Sequence, residues 1–264
     1  MKFETSIGAS EKDAVYNHGF NLAEDLIGTA TLADMAFVGA THRMPTKNES
    51  DMINAVMVAI AEHGFTPSSV STRLTYLGAP ESVQGAIAAG LLGAGTVYLG
   101  AMEYVAEMVQ KAVQKHEGKS IPEIAALTLD EYTAAGKALP GFGHPIHKPK
   151  DPRTIKLYQL AEEYQVKGIH LELLQEISRQ FNERRGKEIT VNVVGAIGAI
   201  LSDMNIHYGI VKTFGVGARA IGLISHITEE IEHGRKNSIG QRLFEYIEEN
   251  TDYQPHEQTS LKNS

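Results

Sequence analysis

The chain has 264 residues and a mass of 28.7 kDa, is 42% hydrophobic and 21% charged, and carries a formal net charge of −8 with a pI near 5.8. That length allows one large or two small domains, and the acidic balance argues against nonspecific nucleic-acid binding. With no cysteine in the sequence, a disulfide scaffold and thiol catalysis are excluded, which fits a cytoplasmic enzyme.

The opening, MKFETSIGASEKD, lacks the apolar run of a secretory signal. Asn21 to Ile27 reads as a short helix ended by Gly28. Thr31, with Asp34 three residues on, caps a helix from Leu32 to about Ala40, and Thr46 with Glu49 repeats the pattern. Met52, Val56, Ala59, Ile60 and His63 recur at helical spacing, so Glu49 to Glu62 is a helix ending at His63 and Gly64.

Residues 67–115 read as packed helices. Pro67 fits a first turn, Ser68 a cap for Val70 to Leu77, and Pro80 opens a small-residue helix from about Glu81 to Gly93. Gly85 to Met102 is free of charge, but its glycines and alanines make it a tightly packed interior segment and not a membrane span. Thr128 with Glu131 starts a helix leading toward Leu139. Helices also cover Arg153 to Tyr164 and His170 to Arg185, the second ended by Gly186, and the residues from Thr251 onward form a polar tail. No sustained period-two alternation appears, so the fold class is all-α.

The most informative stretch is Leu139 to Arg153, LPGFGHPIHKPKDPR. Gly141 and Gly143 bracket Phe142 and leave backbone able to approach a ligand or take positive φ. Four prolines forbid a continuous helix. His144 and His147, followed by Lys148, Lys150 and Arg153, set proton-transfer groups beside cations, which suits a small anionic substrate. A zinc site at the two histidines is disfavoured, since no cysteine and no HExxH pair supplies further ligands.

This segment resembles the signature of the citrate synthase superfamily, a glycine loop with a histidine followed by Asp151, Pro152 and Arg153. The form GFGHPIHK is most similar to the short bacterial citryl-CoA lyases and to the lyase part of ATP-citrate lyase. Further likeness lies in EHGFTPSSVSTR, GAGTVYLGAMEYV, EITVNVVGAIGAILSDM and FGVGARAIGLISHITEEIEHGR, so it covers about Asn17 to Arg235.

The resemblance implies the citrate synthase-like fold, with a large helical domain from residues 1–99 and 204–264 and a smaller inserted one from 100–203. It implies a homodimer whose active site lies between the domains. It also implies reversible retro-Claisen cleavage of a citryl-CoA-type thioester, with coenzyme A as part of the substrate and no bound cofactor, metal, nucleic acid or membrane. His144 is then the proton carrier at the hydroxyl, and His63, Arg153 and Arg219 hold carboxylates. Leu139, Gly141, Phe142, Gly143 and Lys148 receive CoA.

Two positions depart from the family pattern. Tyr98 stands where many relatives have a histidine that donates to the thioester oxygen; its phenol is either such a donor or a packing aromatic. Val194 stands where active relatives have the aspartate that moves the methyl proton. Tyr98 takes that proton by motif, or, further off, Asp203 or His207. Otherwise the substrate differs, or the protein binds a CoA thioester without turnover. A citrate or methylcitrate synthase-type acyltransferase is the alternative enzyme.

Overall fold

The computed structural model describes residues 2–144 and 150–255. Three short antiparallel strands open the chain in the order β1 (Gly8–Ser10), β2 (Val15–Asn17), β3 (Phe20–Asn21). Strands of two or three residues are too short to show alternation, which is why the sequence does not reveal them. A π-helical turn, Leu22–Leu26, follows in place of the expected α-helical one; Asn21 caps it, its Oδ1 accepting from Ala23 N at 3.0 Å.

The α-helices among the described residues are α1 (Leu32–Thr41), α2 (Lys47–Ala61), α3 (Pro67–Gly78), α4 (Val83–Leu92), α5 (Ala101–Lys115), α6 (Ile121–Ala134), α7 (Pro152–Glu163), α8 (Ile169–Arg185), α9 (Val193–Asp203), α10 (Tyr208–His233) and α11 (Ile239–Glu249). The boxes at Thr31 with Asp34 and Thr46 with Glu49 form as the sequence indicates. Two starts differ. Helix α3 is capped by Thr66 paired with Ser69, leaving Ser68 buried and donating to Gly90 O at 2.6 Å. Helix α6 begins at the Ser120 and Glu123 box, so Thr128 sits in its interior, its hydroxyl donating to Ile124 O at 2.8 Å. Both reflect a second, upstream capping pattern winning over the one nearer the apolar run.

The chain divides into two compact units, residues 1–64 with 94–222, and residues 65–93 with 223–264. The stretch 100–203 falls wholly within the first. That unit is centred on α9, apolar nearly all round and therefore buried. Helix α5 lies flush on it: a Cβ on Gly198 would meet Met102 O at 2.5 Å. Helices α6 and α8 close against the same core, which includes Phe37, Met52, Leu171, Ile177 and Ile200.

In the second unit α3 packs on α4 and α11. A Cβ on Gly90 would meet Thr72 Oγ1 at 2.0 Å, so the small residues of α4 serve close helix packing. At its centre the buried Arg73 guanidinium pairs with Glu230 and Glu229 and donates through Nε to His226 Nδ1 at 3.1 Å. Helix α10 is the one described helix long and apolar enough to cross a membrane, but half of its apolar window is buried, as in a core helix.

Candidate active site

Every described residue singled out as a site candidate belongs to the first unit; His147 and Lys148 lie outside the described residues. The glycine loop is held by main-chain bonds. Gly143 N donates to Thr190 O at 2.7 Å, Asn192 N donates to Gly141 O at 2.9 Å, and Phe142 forms an antiparallel bridge with Val191. Gly141 and Gly143 have φ of +79° and +82°, so only glycine takes these turns without strain.

The two glycines differ in surroundings. Gly141 is pressed on α9, whereas a Cβ on Gly143 would find nothing within 4 Å among the described residues. Space is thus left beside the Gly143 backbone, whose N–H and carbonyl are already bonded to Thr190 and Asn192. Phe142 is partly buried and packs edge-on against Phe181, with ring centroids 5.4 Å apart. Leu139 packs on the core.

Asn192 ties this loop to α9. Its Oδ1 accepts from Gly195 N at 3.0 Å as the helix cap, while its Nδ2 donates to Gly143 O at 2.9 Å. One side chain therefore fixes both the helix start and the loop. Val194, two residues on, is partly buried against the core and offers no titratable group.

His144 follows the loop directly. Its ring lies 5.9 Å from that of His63, centroid to centroid, and its Nε2 is 3.4 Å from Arg153 Nη2. Arginine only donates, so this long contact calls for an unprotonated Nε2. Arg153 is itself aimed by Asp151, which accepts from its Nε at 3.1 Å and its Nη2 at 3.0 Å. Asp151 is fully buried and also accepts from Val193 N at 3.1 Å. Burial opposes its ionisation most, but the Arg153 guanidinium and the Arg153 and Val193 N–H groups outweigh that and hold its carboxyl below the usual range.

His63 is brought there by the turn that ends α2. Gly64 takes φ +67° and its N–H donates to the Glu62 carboxylate. Helix α10 presses on this turn, because a Cβ on Gly222 would meet Ala61 O at 1.9 Å. One turn earlier on α10 stands Arg219, only 7% exposed, whose Nη1 is buried without a hydrogen-bond partner among the described residues. Burial pushes its guanidinium pKa down; Glu62 opposes this and the like charge of Arg153 adds to it. Two guanidinium groups within electrostatic reach of one another, one with a buried N–H unsatisfied, make a place for an anion.

Tyr98 stands apart. It is 61% exposed on the turn after α4, and no hydrogen bond joins it to the His144 group among the described residues. It is not a packing aromatic in this conformation. Asp203 is engaged in capping α8, accepting from Gly168 N at 2.8 Å, Leu171 N at 3.0 Å and His170 Nδ1 at 2.9 Å. His207 stacks on Tyr208 and accepts from Gly209 N at 3.1 Å. Both side chains are thus engaged by neighbouring groups. The roles of Asp151 and Asn192 escaped sequence reasoning, although an Asp before Pro and an Asn before an apolar helix are both cap signals.

A family model described as "Citrate synthase, C-terminal domain" matches residues 7–242. A citrate synthase of Acidithiobacillus ferridurans is 30% identical over 201 residues, which cover 73% of this chain and 50% of that protein. A citrate synthase of Synechocystis is 29% identical over 197 residues, covering 72% and 47%. The chain thus spans about half the length of the curated relatives it matches.

Among solved structures, citryl-CoA lyase from Hydrogenobacter thermophilus superposes with a TM-score of 0.85 at 28% identity, covering 98% of this chain and 97% of that one. ATP citrate lyase from Methanothrix soehngenii, solved with citrate and coenzyme A, gives a TM-score of 0.77 at 20% identity and covers 43% of that chain. The second likeness is one of fold.

Proposed function

The chain belongs to the citrate synthase family, and from that premise we propose that it cleaves a citryl-CoA-type thioester reversibly to acetyl-CoA and an oxo acid such as oxaloacetate. The observation that carries this reading is the meeting of His144 with His63 and Arg153, with the buried Nη1 of Arg219, unpaired among the described residues, on a guanidinium that feels the charge of Arg153. The likeness over nearly the full length of a citryl-CoA lyase supports cleavage over the chemistry of the longer synthases.

In the cleavage direction the Nε2 lone pair of His144 takes the proton of the tertiary hydroxyl. The bond from that carbon to the acyl α-carbon breaks, the hydroxyl carbon becomes a ketone, and the electron pair enters the thioester as an enolate. Arg153, Arg219 and His63 hold the carboxylates. Tyr98 donates its phenolic O–H to the enolate oxygen once the loop and thioester meet. The enolate carbon takes its proton from solvent, because Val194 has none to give. CoA lies in the space beside the Gly143 backbone, with Leu139, Gly141, Phe142 and Lys148 completing its seat. The working form is a cytoplasmic homodimer, a reading that rests on family likeness.

A second reading has its own observation. A general acid or base contributes about 10²- to 10⁴-fold, so Val194 favours a protein that binds a CoA thioester without turning it over. Incubation with synthetic citryl-CoA and related hydroxyacyl-CoA thioesters, with products read by mass spectrometry, separates the two. Release of acetyl-CoA above the buffer control supports the lyase, while intact thioester alongside CoA binding removes it.

A further inference from the structure

Four non-glycine residues among those described have positive φ: His18, His42, Gln165 and Asn205. Two of them are histidines from separate elements, and their side chains meet. His18 sits at φ 50° in the two-residue turn between β2 and β3, and His42 at φ 61° is the residue that ends α1. Positive φ is uncommon outside glycine, and histidine is among the residues that take it most readily, so the backbone at each position fixes where the imidazole points. Their Nδ1 atoms are 3.1 Å apart and the ring centroids 5.1 Å, with His42 exposed to solvent.

That spacing has a chemical meaning. With metal–nitrogen bonds of about 2.0–2.1 Å, donors 3.1 Å apart subtend about 100° at an ion, close to the tetrahedral value. Imidazole suits Zn²⁺, Cu²⁺ and Ni²⁺. The setting also suits a cation, because His42 lies at the C-terminal end of α1, where the helix carries partial negative charge. The neighbouring Arg43 does not oppose this strongly, since its guanidinium is held by Glu49 at 2.8 and 2.5 Å.

We propose that the Nδ1 atoms of His18 and His42 form a two-donor site for a divalent transition-metal ion, with water filling its other positions, that clips the N-terminal hairpin to the end of α1. The clip is separate from the proposed reaction and joins residues 24 apart in sequence. The competing arrangement is a single N–H to N hydrogen bond between neutral rings.

Calorimetric titration of the full chain with Zn²⁺ at pH 7.5 decides, beside His18→Asn and His42→Asn, replacements that tolerate positive φ. The expected result is one ion per wild-type chain, a higher Tm with Zn²⁺, and binding at least about 10-fold weaker in each variant, since loss of a partner that merely supports a ligand already costs that much. Equal binding by all three proteins, or none by the wild type, would leave a hydrogen-bonded pair only and overturn the proposal. Should a variant fail to fold, imidazole ¹⁵N spectra of the wild type replace it. Zn²⁺-induced shifts at the two Nδ1 atoms support the site, and shifts confined to other histidines overturn it.

Discussion

The backbones of Gly141 and Gly195 touch: a Cβ on the first would meet Gly195 Cα at 2.8 Å, and one on the second would meet Gly141 O at 2.8 Å. The contact sets the loop that carries His144 against the first turn of α9. Gly195→Ala should therefore overpack this seam and cost about 1–3 kcal/mol, read as a lower urea midpoint with an unchanged slope. An unaltered midpoint would mean that loop and helix separate without penalty.

Asp151 ties pH to stability. Its folded-state pKa is depressed, so its contribution is complete above its unfolded value of about 3.9 and is lost as pH falls through the lower folded value. Asp151→Asn should lower stability on the order of 1–3 kcal/mol at neutral pH. The gap between variant and wild type should narrow below about pH 4. Denaturation between pH 3 and 7 checks this, and a pH-independent gap would deny that the ionised carboxylate matters.

Arg219→Ala should raise KM for the carboxylate partner, leaving the thioester's CoA part bound as before. Gly222→Ala should act in the same direction without touching a ligand, since the added methyl would push α10 off Ala61 and shift Arg219. Saturation curves identical to wild type for both would take Arg219 out of the anion site.

Tyr98→Phe should raise the barrier by roughly 2–4 kcal/mol if the phenol is an oxyanion donor, seen as a fall in kcat at unchanged Tm. Val194→Asp should raise turnover by restoring a proton carrier beside the glycine loop. If neither substitution alters the rate of citryl-CoA cleavage, the assigned chemistry at both positions fails.

In the second unit, Arg73 and Glu230 form an ion pair with side chains 3% and 1% exposed. Glu230→Gln should cost about 3–5 kcal/mol, because a buried guanidinium loses its countercharge. Differential scanning calorimetry reads this as a lower Tm, and a neutral outcome would mean that Glu229 alone compensates.

The helical fold class and the identity of the glycine loop were legible because both are local. Cap pairs such as Thr31 with Asp34 lie three residues apart, and the loop motif is contiguous. What stayed hidden depends on distant partners. Asn192 reaches Gly143 across 49 positions, and Arg73 meets Glu230 across 157. The mid-helix place of Thr128 was missed for a different reason, since a threonine can cap a helix or donate to the carbonyl four residues back, and the sequence alone does not choose.

Among the described residues, amide and carbonyl groups at Gly141, Gly143, Thr190 and Asn192 fasten the His144 loop, joined by the side chain of Asn192. Main-chain fastening is indifferent to what mutation does at neighbouring positions. A lineage can therefore exchange the residues at 98 and 194, and with them substrate or even turnover, while the histidine keeps its station.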